Sequence, residues 1–153
     1  MSTTATSSKT NFFIAKDFFV PVSIGRIGPD FKNWFFPKIR EDQRGIKSIF
    51  VSIRRNFTDK AIIKKHGGEK AITLTLGKIA SFIKKQGNGQ KGKLSLVSPN
   101  VFYVKDIEGA LRAVRVSWDS CTRAWNFGAF DIEKDCVWVK GTRIFLPEKS
   151  KKK

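Results

Sequence analysis

The sequence predicts an α+β fold: mostly antiparallel β-sheet, much of it a meander, with one short amphipathic helix. Three patterns predict it. Residues 94–97, 101–105, 111–118, 124–130 and 136–139 are short apolar runs separated by turn-forming residues at hairpin spacing. Residues 46–55 alternate apolar and polar side chains, the period of a strand. Only one segment, at 76–86, repeats its apolar residues with the period of a helix.

Along the chain, residues 1–10 form a polar, Ser/Thr-rich stretch without the basic start and apolar core of a secretory signal, and read as a disordered arm. Residues 12–14 and 18–24 read as strands, the second an edge or bulged strand because Pro21 cannot donate to a ladder. Residues 31–37, with Phe31, Trp34, Phe35 and Phe36 before Pro37, suit either a strand or an irregular aromatic loop. In 46–55, Ile49, Val51 and Ile53 form the expected core face, and Ser48, Phe50, Ser52 and Arg54 the opposite one. Residues 61–65 suggest a further strand and 72–76 a short strand or helix lead-in.

In the helix, Leu76, Ile79, Ala80 and Ile83 fall at i, i+3, i+4 and i+7. Thr73 or Thr75 can cap its start and Gly87 can end it. Residues 86–93 then read as a flexible basic loop. In the meander, Val114, Val116 and Trp118 share a face, as do Trp125, Phe127 and Ala129. Trp118 and Trp125 are expected to pair across the strands, worth up to about 1 kcal/mol.

Charge is the strongest functional signal. Lys and Arg number 30 against 13 acids, a formal net charge of +17. Residues 1–98 carry +13, residues 99–148 are neutral, and the tail 149–153 adds four lysines. Residues 11–148 read as a single domain, with a basic part 11–98 and a neutral β-meander 99–148, preceded by the arm and followed by the lysine tail. Nine of the 14 phenylalanines lie in the first 57 residues. Cations for phosphates and flat rings for bases are the two components of single-stranded nucleic-acid binding.

The expectation is therefore a non-enzymatic nucleic-acid-binding protein, single-stranded DNA or RNA favoured, weakly sequence-selective and compatible with a homo-oligomer. The candidate site residues are Phe50, Trp34 and Phe35 for stacking, and Lys47, Arg54, Arg55, Lys64, Lys65, Lys84, Lys85, Lys91 and Lys93 for phosphates. Two alternatives stand beside it: a ribonucleoprotein or nucleocapsid-type component, its neutral half docked on protein, and a small metal-dependent nuclease. A phage or viral origin suits so compact a basic binder. Over residues 46–86, strands followed by a helix entered through a short polar segment resemble, in element order, the single-stranded-DNA-binding folds of the Whirly type.

Motifs of catalysis are not met. The run Gly87 to Lys93 fits the glycine and lysine spacing of a phosphate-binding P-loop, but Leu94 stands where Ser or Thr should bind magnesium, and a helix precedes it where a strand should. Arg44-Gly45 with Phe50 and Val51 echoes an RNA-recognition strand, with two extra residues between the halves. Asp131, Glu133 and Lys134 resemble a nuclease cluster but sit in a turn, with Lys134 adjacent to Glu133. His66 is the only histidine. No catalytic residue, metal ligand or cofactor is expected. Cys121 and Cys136 read as reduced thiols, and no apolar run approaches the ~18 residues of a membrane span. A cytoplasmic or host-cell intracellular location is expected.

Overall fold

The computed structural model describes residues 12–13, 24–36, 41–42 and 47–148. The strands are β1 (Phe12–Phe13), β2 (Ile24–Ile27), β3 (Glu41–Asp42), β4 (Ser48–Ser52), β5 (Phe57–Thr58), β6 (Thr73–Leu74), β7 (Asn100–Lys105), β8 (Leu111–Asp119), β9 (Ala124–Asp131), β10 (Val137–Trp138) and β11 (Arg143–Pro147). The helices are α1 (Pro29–Phe35), α2 (Asp59–Lys65), α3 (Glu69–Ile72) and α4 (Leu76–Lys85), with a 3₁₀ turn at Ile132–Lys134. The fold is α+β. The arm 1–10, residues 18–23 of the strand expected at 18–24, and the tail 149–153 lie outside the described residues.

A seven-stranded sheet runs β2-β9-β8-β7-β11-β4, with β6 also on β7. β7, β8 and β9 are three of the five strands of the expected antiparallel meander, whereas β10, from the run 136–139, pairs with β5 outside this sheet. The sheet is nevertheless mixed: β2 lies parallel to β9, and β11 and β6 both lie parallel to β7. Strands from the basic and neutral parts of the sequence interleave in this one sheet.

Alternate residues of the central strands enter two different cores. Phe102, Val104, Val114, Val116, Trp125, Phe127 and Phe145 meet Phe31 and Phe35 of α1 and Leu76, Ile79, Phe82 and Ile83 of α4. Val101, Tyr103, Ala113, Ile144 and Leu146 meet Ile62 and Ile63 of α2, Ile72 of α3, and Trp138. We call these the first and second faces. Covering both faces buries β7 from Asn100 to Val104 and explains its unbroken apolar run.

Helices replace several expected extended segments. Residues 31–35 are helical because Pro29 stands in the first turn, where its missing N–H costs nothing, and Phe31 and Phe35 fall four apart on the buried side. Residues 61–65 belong to α2, where Thr58 Oγ1 accepts from Ala61 N at 3.2 Å. Residues 94–97 are not a strand. Leu94 is tied to Gln86 and Ser95 to Asn100 by side-chain–backbone bonds. The expected helix is α4, capped by Thr75, whose Oγ1 accepts from Lys78 N. β11, which the sequence pattern does not mark as a strand, lies between β7 and β4 with Ile144, Phe145 and Leu146 buried. Two helices separate β4 from α4, so the element order departs from the Whirly-type pattern.

β4 keeps part of its expected core face, with Ile53 buried and Val51 packed in the second-face core, but it meets a core on the other side as well. Ile49 is 45% exposed, and Phe50 packs against the first-face core. The alternation is real, but a sheet with a core on each face leaves no single apolar face for it to mark.

Candidate functional site

The three rings proposed for stacking are occupied. Phe35 is fully buried, 5.0 Å from Phe31 between centroids, and belongs to the core. Half-buried Trp34 carries the Arg112 guanidinium 3.8 Å from its ring centroid. Arg112 is held there by Asp106 at 2.9 Å and Asp131 at 3.4 Å. Burial alone would raise the Asp106 pKa, but the N–H groups of Glu108 and Ala110 and the charge of Arg112 outweigh it and lower the pKa. Half-buried Phe50 contacts Phe145 at 5.5 Å, and Arg143 lies over it at 4.5 Å.

Cations do gather on the first face beside Phe50. Arg143 donates from Nη1 to the Lys93 carbonyl, tying β11 to the loop after α4. Lys78 has its pKa lowered by partial burial and by the nearby charges of Lys85 and Lys93. Among the described residues no carboxylate lies within ion-pair distance of Lys78, Lys85 or Lys93. Three like charges thus share one rim without internal compensation, and Arg143 adjoins them.

The loop that presents Lys91 and Lys93 is pinned, not free. Gln86 is buried, donates from Nε2 to the carbonyls of Gln90 and Leu94, and accepts from Leu94 N at 2.9 Å. Trp125 Nε1 donates to the Gln86 carbonyl at 2.8 Å. Gly89, at φ 74°, lies against Trp118 so closely that a Cβ there would come within 2.2 Å of the ring. Trp118 and Trp125 form the expected cross-strand pair, edge to face at 5.2 Å.

A second group lies on the other side of β4. Arg54, Arg55, Lys65 and His66 line a cavity of about 420 Å³ with Val51, Ile53, Phe57 and Ile62. The Phe57 ring has Arg55 at 5.0 Å and Lys65 at 5.1 Å. A neighbouring cavity of about 410 Å³ shares Val51 and His66 and adds Ile49, Ala71, Leu146, Pro147 and Glu148. Lys47 stands exposed just before β4. Lys64, Lys84 and Lys91 are exposed. Thus Arg54, Arg55 and Lys65 come together, and Lys85 and Lys93 each lie near Lys78. Lys78, Arg143 and Phe57 stand outside the candidates that the sequence offers. Arg143 and Phe57 reach their groups through strand pairings that span much of the chain.

The other polar centre is structural in geometry. Asp59 is fully buried and accepts from Tyr103 Oη at 2.7 Å, Trp138 Nε1 at 2.6 Å and Cys136 N at 3.1 Å. Burial raises its pKa, the three donors oppose the rise, and Asp135 adds to it. Among the described residues no three His, Cys, Asp or Glu side chains cluster as a metal site. Glu133 pairs with Lys60, and Asp131 with Arg112. Cys121 and Cys136 are free thiols. No helix among the described residues is long and apolar enough to cross a membrane. Comparison with protein-family models, with curated proteins and with solved structures gave no match.

Proposed function

We propose that this chain is a non-enzymatic nucleic-acid-binding protein that holds its ligand through phosphates at the Lys78, Lys85, Lys93 and Arg143 rim. The observation that carries this reading is the gathering of three lysines with no carboxylate partner among the described residues. A protein gains nothing in stability from bringing like charges together, so the arrangement suits an external polyanion. The net charge of residues 1–98, +13, adds long-range attraction for a polyanion.

Base stacking has a smaller part than the aromatic content implies. Phe50 and Trp34 already carry arginines, and Phe35 is enclosed. A single strand remains the favoured ligand for a different reason. Cations gathered at one rim need phosphates brought close together, which a flexible strand achieves more readily than a stiff duplex. Binding is accordingly weakly selective for sequence.

Competition among single-stranded DNA, duplex DNA and RNA at two salt concentrations tests this. With about 4–6 phosphates neutralised, the log–log slope on a single strand is expected to be about −3 to −4, at roughly −0.7 per phosphate. A flat salt response would remove the reading.

A further inference from the structure

We infer that the outer edge of β4 is a docking site for an extended peptide segment of a partner protein, added to the sheet as a further strand, with alternate apolar residues and carboxylates at its ends. The argument begins with hydrogen-bond phase. β4 is the last strand in the sheet order. Its pairing with β11 places Ile49 opposite Leu146 and Val51 opposite Ile144. The Ile53 N–H donates to the Thr142 carbonyl, and Glu148 N–H donates to the Lys47 carbonyl. Residues 47, 49, 51 and 53 therefore turn their backbone groups to β11, because bonded pairs alternate along an antiparallel ladder. Ser48, Phe50 and Ser52 turn theirs outward, and among the described residues nothing receives them.

Such an edge is a template for another strand. The side chains beside it define which strand. Ile49, Val51 and Ile53 line the two adjoining cavities on the second face, about 410 and 420 Å³. An added strand sends alternate side chains to that face, about 7 Å apart, so apolar residues at every second position would fill them. Arg54, Arg55 and Lys65 rim one cavity, and exposed Lys47 lies at the opposite end of β4. These cations fit terminal carboxylates. They also oppose self-pairing, since two β4 edges side by side would lay cations along cations.

The probe is a short fluorescein-labelled peptide alternating Val and Thr between Asp-Glu ends, titrated by anisotropy into the full-length protein. Saturable binding is expected, weakened about tenfold when the ends are Lys-Lys. Methylating the peptide nitrogens that face β4 is expected to abolish binding, and methylating the alternate nitrogens to spare it. This control needs no change to the protein. Ser52→Pro removes one outward N–H and no bond to β11, and is expected to weaken the peptide about tenfold while leaving melting unchanged. The proposal is overturned if the peptide fails to bind, or if both methylation patterns act alike. It is also overturned if Ser52→Pro acts only on an oligonucleotide, or only on a dimer seen by sedimentation.

Discussion

The guanidinium of Arg143 lies 4.5 Å from the ring centroid of Phe50, which places a β11 cation on the ring proposed for base stacking. On its other contact the ring meets Phe145, so Phe50 joins the first-face core to the cationic rim. Phe50→Ala is expected to lower stability by about 2 kcal/mol, below the ~3–5 kcal/mol of a fully enclosed Phe because this ring is half-buried. The folded protein should bind nucleic acid within about twofold of the unaltered chain. Melting and affinity measured on the same variant check this. An affinity loss without a melting change would restore Phe50 as a stacking ring.

Neutralising the lysine rim should separate binding from folding. Lys78→Gln, Lys85→Gln and Lys93→Gln together are expected to make the salt slope shallower by about 2, near 0.7 for each lost phosphate contact. Melting should be unchanged or higher, since the three charges repel one another in the fold.

Lys78 also has a pH signature. Burial, with Lys85 and Lys93 nearby, lowers its pKa from 10.5, so in the window below 10.5 the unfolded chain holds the proton more tightly than the native one. Stability should therefore rise with pH through that window. Lys78→Met should flatten the rise, as read from denaturant unfolding at several pH values.

Much of this architecture is legible where local pattern and tertiary environment agree. α4 has its stripe, its Thr75 cap and one buried side. The β8–β9 pair has clean alternation and sets Trp118 against Trp125. Legibility fails where the sheet is covered twice. β11 offers only a short apolar run ended by Pro147, too brief to distinguish a central strand from a loop, although two flanking strands bury it. α1 and α2 have seven residues each, too few for a period to emerge. At the site, the cations could be read from composition, but not their grouping. Arg143 reaches Phe50, and Arg112 reaches Trp34, only because distant strands are neighbours.

Asp59 is expected to impose an acid-side pH dependence of opposite sense. Its folded pKa is raised above 3.8, first by burial, so just above 3.8 the native state holds the proton more tightly. Stability should fall as pH rises from about 3.8 through the raised value. Asp59→Asn removes that titration. It also sets an amide N–H₂ against one of the Tyr103, Trp138 or Cys136 donors, at a cost of about 1–3 kcal/mol. Unfolding curves for both proteins between pH 3 and 7 compare slope and offset together. An unchanged slope would remove Asp59 as the titrating group.

Gly89 connects the indole pair to the cationic loop. Its φ of 74° lies in the left-handed region, and its Cα faces the Trp118 ring with no room for a methyl group. Gly89→Ala adds a Cβ that would lie 2.2 Å from that ring, so the loop or the indole must move. Moving the loop strains the bonds from Gln86 to Gln90 and Leu94, while moving Trp118 disturbs its contact with Trp125. The substitution is expected to cost about 1–3 kcal/mol, as strained glycine positions do, and to shift tryptophan fluorescence. It also displaces Lys93 from Lys78 and Lys85, so affinity should fall and the salt slope should become shallower although no charge is removed. A loss of stability with unaltered affinity would show that loop position is irrelevant to binding, leaving the lysines to act only through their number.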